Sequence, residues 1–112
     1  MKLTVFSQLP IEFSNHNHYI QKKVMLKPGD IPNLTNFSQA TFTPGQKTIP
    51  HLHETMYEVF FVESGEGIIR INEVDYPLLK GNCITVEPGE VHELMNRGST
   101  DLILTYFGIV SE

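Results

Sequence analysis

Basic residues are scarce in this chain: eight lysines and arginines stand against 13 aspartates and glutamates in 112 residues, for a formal net charge of −5. The one basic cluster, Lys22-Lys23 with Lys27, is too small to neutralise a phosphate backbone, so nucleic acid is not an expected partner. Cysteine is rarer still. Cys83 stands alone, so no internal disulfide can form, which fits a reducing compartment. In a β-prone run it reads as a small buried hydrophobe rather than a reactive thiol. Long apolar runs are missing too. Leu3-Thr4-Val5-Phe6 stops short of the ~7–15 apolar residues of a secretory signal, and no stretch approaches the ~20 of a membrane span. The expectation is a cytoplasmic protein with no membrane partner, in which the glycosylation-type triplets Asn33-Leu34-Thr35 and Asn36-Phe37-Ser38 are chance matches. Helical spacing is absent as well, and seven prolines interrupt most windows that could carry it.

What is present is a real core. Leu, Ile, Val and Phe supply 35 of the 112 residues, far above the fraction of a disordered chain. The expectation for a chain of this length is one domain, residues 1–112, without a DNA-binding appendix. Turn signals recur at short intervals: Pro28-Gly29, Pro44-Gly45, Gly65-Glu66-Gly67, Lys80-Gly81-Asn82, Pro88-Gly89 and Arg97-Gly98-Ser99. Between them lie β-branched and aromatic runs at 19–26, 34–43, 57–63, 67–72, 75–79, 83–87, 91–95 and 101–109, with His51 to His53 heading one more. Short strands at this spacing make an all-β sandwich or barrel. The open end of such a barrel is where a ligand or metal would sit.

The polar residues placed to point inward are histidines and one glutamate. His51 and His53, two apart on a strand, share a face with Cα atoms about 6.5 Å apart. Glu58 lies at an odd offset from His53. A turn through Glu54-Thr55-Met56 followed by a strand from Tyr57 to Glu63 brings it back as a cross-strand neighbour. His92 follows the Pro88-Gly89 turn. Three imidazoles and a carboxylate suit one divalent transition ion per chain, Fe, Mn, Ni or Zn, with open positions for water, oxygen or substrate. Asn15-His16-Asn17-His18, a second His-x-His, reads as an exposed polar loop.

The run Gly45, five residues, His51-Leu52-His53, four residues, Glu58, six residues, Gly65 resembles the first motif of the cupin superfamily, with every position filled. Gly81 through Pro88, Gly89 and His92 to Asn96 is similar to the second motif. There Glu87 stands where the family usually has proline, and Pro88 follows one residue later. Both motifs lie within residues 45–96. The resemblance implies a single-domain, double-stranded β-helix (jelly-roll barrel). It also implies His51, His53, Glu58 and His92 as the metal ligands, Gly45, Gly65, Gly81 and Gly89 as turn positions, and Asn96 as a structural residue. For function it implies chemistry on a small organic molecule, first a metal-dependent dioxygenase or related oxidoreductase. The alternatives are an isomerase, decarboxylase or lyase, or a non-catalytic module that binds or senses a small ligand or metal.

Period two from Glu58 and His92 places Phe60, Val62 and Leu94 in the pocket wall; for Tyr106, parity leaves both faces open. Glu54, Glu87, Glu90 and Glu93 are expected on the solvated rim. Glu58 with three neutral imidazoles offsets one charge of a divalent ion, so the site would favour a carboxylate, enolate or phenolate despite the acidic chain. Related cupins commonly pair, and the N-terminal strands, residues 1–26, carry Leu3, Val5, Phe6, Tyr19, Ile20, Val24, Met25 and Leu26. A homodimer formed through them is expected, because an exposed apolar edge invites uncontrolled association. A solution mass near 12.7 kDa across micromolar concentrations would reject it.

Overall fold

The structure is a computed structural model, which describes residues 1–111. After a short 3₁₀ turn (Phe6–Gln8) the chain is built of β1 (Glu12–Ser14), β2 (Asn17–Leu26), β3 (Leu34–Phe42), β4 (Met56–Ser64), β5 (Glu66–Ile71), β6 (Val74–Leu79), β7 (Cys83–Val86), β8 (His92–Met95) and β9 (Leu102–Val110). Two antiparallel sheets result, ordered β1-β2-β3-β9-β4-β7 and β6-β5-β8. This is the all-β jelly roll that the turn spacing and the motifs imply. No helix among the described residues is long and apolar enough to cross a membrane.

Alternation builds the core. On β4, Glu58, Phe60 and Val62 are buried while Tyr57, Phe61 and Glu63 are exposed, and on β9 Leu102 and Leu104 are buried. Together with Ile20, Ala40, Phe42 and Val86 of the large sheet, these side chains meet Ile69, Leu78 and Leu94 of the small one. Each such apolar side chain contributes roughly 1.5–3 kcal/mol on burial. Ser64 ends β4 in the large sheet and Glu66 begins β5 in the small one, so a single residue turns the corner. That residue is Gly65, at φ +81°, and a Cβ there would run into the carbonyl of Asp101.

The segment around His51 departs from the expected strand. Residues 43–55 form no regular strand; they carry only isolated bridges, Lys47 opposite Met95 and His51 opposite His92. Pro50 supplies no N–H, so a continuous ladder cannot form there. The segment still tracks β8 through Thr48 N–H to Leu94 O (2.9 Å), His51 N–H to His92 O (3.0 Å) and His92 N–H to His51 O (2.8 Å). Beyond His53 the chain bends at Glu54-Thr55 and crosses to the large sheet. Glu58 therefore faces the histidines from the opposing sheet; it is not a hairpin neighbour.

Three other expectations are corrected. Cys83 is exposed, because β7 is the edge strand of the large sheet and Cys83 lies on its outer face with Thr85, while Val86 points inward. Glu93 is buried and paired to Arg70 (2.9 Å), which lets a carboxylate leave the rim. The Asn15–His18 stretch is no free loop: it forms the turn between β1 and β2 and the first residues of β2. In the N-terminal segment, Leu3, Val5, Phe6, Phe13 and Tyr19 are exposed, whereas Ile20 and Val24 belong to the barrel's own core.

Candidate metal centre

The irregular segment before β4, the inner face of β4 and the start of β8 bring His51, His53, Glu58 and His92 together. One ligand-type atom from each lies within 4.8 Å of all the others. Donors bound to one ion at ~2.1 Å stand up to ~4.2 Å apart, so the cluster closes on an ion with a small contraction. His92 Nε2 lies 3.1 Å and His53 Nε2 3.2 Å from the same oxygen, Oε1 of Glu58. Glu58 and His92 are buried, and His51 and His53 are half-buried.

The hydrogen bonds on the far side of the rings decide what this geometry can hold. His51 Nδ1 lies 2.8 Å from the carbonyl of Ile49, and His92 Nδ1 lies 3.0 Å from that of Glu90. A carbonyl only accepts, so each Nδ1 carries the proton and each neutral ring turns the lone pair of Nε2 to the centre. This is the arrangement by which proteins fix histidine ligands for a metal. Without a cation or an added proton, the lone pair of His92 would face a carboxylate oxygen across 3.1 Å. His53 Nε2 is likewise a buried polar atom with no hydrogen-bond partner among the described residues. The four groups fit a divalent ion, which would satisfy both atoms at once.

Protonation follows the same logic. Burial draws His51 down to about 4, with the neighbouring imidazole of His92 adding to the effect against the bond to Ile49. Its ring is therefore neutral at neutral pH, the form an imidazole needs to ligate a metal. Burial also opposes charge on His92, but the contacts with Glu58 and the Glu90 carbonyl outweigh it and raise its pKa. Burial pushes Glu58 up, yet the bond to His92 and the surrounding imidazoles bring it below the usual carboxylate range, so it stays ionised.

Above the cluster lies a cavity of about 50 Å³, bounded by His51 and Glu58. Its wall is apolar where Ile20, Ala40, Phe42, Phe60, Leu94 and Leu104 meet. Ser14, His16, Thr48 and Tyr106 supply the polar groups. Tyr106 lies inward, its ring stacked on Phe60 at 5.5 Å, and burial pushes its hydroxyl up to about 12 against the nearby Ser38 hydroxyl. Of the expected wall residues, Phe60, Leu94 and Tyr106 line the cavity. Val62 does not: it is fully buried one pleat further along β4, among core side chains.

Sequence reasoning passed over His16. Its ring stacks on His51 with centroids 3.6 Å apart and planes 11° from parallel. Counting in twos back from Ile20 and Val24 does reach His16, but the same count marks His18, which is exposed. The tight β1–β2 turn breaks the parity, so alternation alone could not single it out. Thr48 is buried with its hydroxyl accepting the Leu94 N–H (3.0 Å), and Asn96 Nδ2 donates to the carbonyls of Phe42 (2.8 Å) and Thr100 (2.9 Å). Both hold the segments that carry the site.

Residues 38–108 match the family model described as the cupin domain. The chain is 33% identical over 66 residues to an oxalate-binding protein of Thermotoga maritima, an alignment covering 59% of this chain and 54% of that protein. It is 27% identical over 67 residues to an uncharacterised protein of Methanocaldococcus jannaschii, covering 60% and 54%. The alignments thus span about half the length of these curated relatives. Among solved structures, a predicted oxalate decarboxylase of Thermotoga maritima superposes with a TM-score of 0.89 at 23% identity, over 97% of this chain and 99% of that one. A sugar phosphate isomerase from a cupin superfamily, of Silicibacter pomeroyi, superposes with a TM-score of 0.82 at 15% identity, over 96% and 75%. At these identities the structural likeness speaks for the fold alone. With the family model matched over most of its length and the barrel formed around both motifs, this chain belongs to the cupin family.

Proposed function

We propose that this chain binds a small carboxylate anion, of the size of oxalate, at a divalent metal ion held by His51, His53, Glu58 and His92. The observation that carries this reading is the convergence of four donors, with proton-bearing Nδ1 atoms directed away, beneath a small cavity. When bound, the ion supplies a local positive charge and Lewis acidity. Three neutral imidazoles and one carboxylate leave a net charge of about +1 there, which favours an anion within an acidic chain. A cavity of about 50 Å³ admits about three to five waters, or a molecule of similar bulk.

The chain's other residues shape the recognition. Phe60 and Leu94 give the ligand an apolar wall, which strengthens its charge interactions by excluding water. Tyr106, protonated at neutral pH, keeps a hydroxyl in the wall. The oxalate-binding relative supports a carboxylate over an uncharged ligand. The oxidoreductase chemistry implied by the motifs would ask the same cavity to hold an organic substrate and oxygen together, and its size favours the binding reading. Leu3, Val5, Phe6, Phe13 and Tyr19, exposed on the N-terminal segment, support pairing of two copies through that segment.

The test uses protein loaded with Co²⁺, whose visible spectrum reports its ligands, and a panel of oxalate, acetate, a 1,3-diketone and a phenol. Oxalate is expected to shift the spectrum saturably below millimolar concentration, more strongly than the bulkier diketone or phenol. If no carboxylate perturbs the spectrum at millimolar concentration, the proposal fails.

A further inference from the structure

The β1–β2 turn is clipped to the segment that leads into His51. The carbonyl of His16 accepts the Ile49 N–H (3.1 Å), Asn17 Nδ2 donates to the Lys47 carbonyl (2.7 Å), and the His16 N–H is taken by Ser14 Oγ (3.1 Å). The result is a fixed position for the His16 ring, flat against His51 and 6.1 Å from the ring of His53. Neither ring nitrogen of His16 hydrogen-bonds another group among the described residues. The ring lies on the cavity wall beside Phe60, Leu94 and Tyr106.

Stacking forbids His16 from acting as a fifth protein ligand. An ion bonded to His51 Nε2 lies near the plane of the His51 ring, because the lone pair points along that plane. The His16 plane runs nearly parallel to it, separated by close to the 3.6 Å between centroids. The His16 lone pair lies in its own plane, so it passes to one side of that ion and cannot be directed at it without unstacking. What its edge can meet is a molecule lying in the cavity, which His16, His51 and Glu58 bound together.

We propose that His16 determines ligand specificity at this site: its ring N–H hydrogen-bonds an oxygen of the anion that the metal does not hold, selecting a dicarboxylate over a monocarboxylate. The inference rests on the carboxylate-binding reading above. A second carboxylate brings a charged acceptor to the ring edge, and a hydrogen bond to a charged acceptor is about twice as strong as a neutral one. Acetate, with its single carboxylate engaged at the metal, offers the ring much less. His16 thus adds nothing to metal affinity and much to the choice of anion.

The experiment compares wild type, His16→Phe and His16→Gln, all loaded with Co²⁺ and titrated with oxalate and with acetate, with metal content measured in parallel. Phe keeps a flat ring against His51 and removes the N–H; Gln keeps a donor and removes the ring. His16→Phe should retain one metal per chain, bind oxalate about 10- to 100-fold more weakly and change acetate binding by less than about 3-fold. His16→Gln should recover most of the oxalate affinity. Loss of metal in His16→Phe, equal weakening toward both anions, or unchanged oxalate binding would each overturn the assignment while the wild-type response leaves the carboxylate reading standing. A wild type silent toward both anions would instead overturn that reading, and this one with it.

Discussion

The double variant His51→Ala/His53→Ala is expected to purify folded and to carry no metal above background, against about one ion per chain in the wild type. Both side chains lie outside the regular strands and outside the core cluster, and both are half-buried, so removing them opens no cavity among the buried apolar groups. The backbone bonds of residue 51 to His92 survive the change, since alanine retains the N–H and the carbonyl. What is lost is two of four donors, and a site left with Glu58 and His92 cannot hold a transition ion against water. The loss has a second signature in stability. A wild type saturated about 1,000-fold above its Kd gains about 4 kcal/mol from the ion, and the variant gains nothing. Elemental analysis beside circular dichroism, with and without added metal, reads both effects. Unchanged metal content in a folded double variant would remove these two residues from the site.

A comparably large effect, on the fold and not on the metal, is expected at Gly65. This residue turns the chain from the large sheet to the small one at φ +81°, and a methyl group there would meet the backbone of Asp101 and Leu102 just where β9 begins. Two costs combine in Gly65→Ala: the left-handed conformation, about 1–2 kcal/mol, and overpacking against backbone that cannot yield as a side-chain tip would, about 1–3 kcal/mol. A loss of about 3 kcal/mol lowers the midpoint of thermal unfolding by more than ~10 °C in a domain of this size. Gly89→Ala provides the control, because its φ is also positive, at +86°, but nothing lies within 4 Å of its Cβ position. It should lose only the conformational part. Equal midpoints for the two variants would contradict the crowding at Gly65.

The strands were legible because each is short, bounded by turn residues and half-buried, so that hydrophobic alternation survives in the sequence. Glu58, Phe60 and Val62 show both the strength and the limit of that signal. Parity correctly turns all three inward, yet it says nothing of position along the barrel axis, and Val62 falls in the closed core instead of the cavity wall. His51 and His53 were legible from motif spacing, but their conformation was not. Pro50 prevents a regular ladder, and what holds the segment is pairing with β8, some forty residues away in sequence. Glu93 and Cys83 were misplaced for a related reason: a buried carboxylate depends on Arg70 of a neighbouring strand, and an exposed thiol on β7 being an edge. His16 was hidden by the turn before β2, where alternation no longer reports direction. Local patterns specify faces; partners across the sheets specify sites.

X-ray absorption at the Co²⁺ edge, recorded on the loaded protein before and after oxalate is added, tests the proposed centre most directly. Three imidazole nitrogens with one carboxylate oxygen and additional light-atom ligands are expected first, with oxalate oxygen taking a place among the last once oxalate is present and the imidazole signal unchanged. A spectrum showing no imidazole ligands, or one that oxalate leaves untouched at saturating concentration, would contradict a carboxylate-binding metal centre at His51, His53, Glu58 and His92.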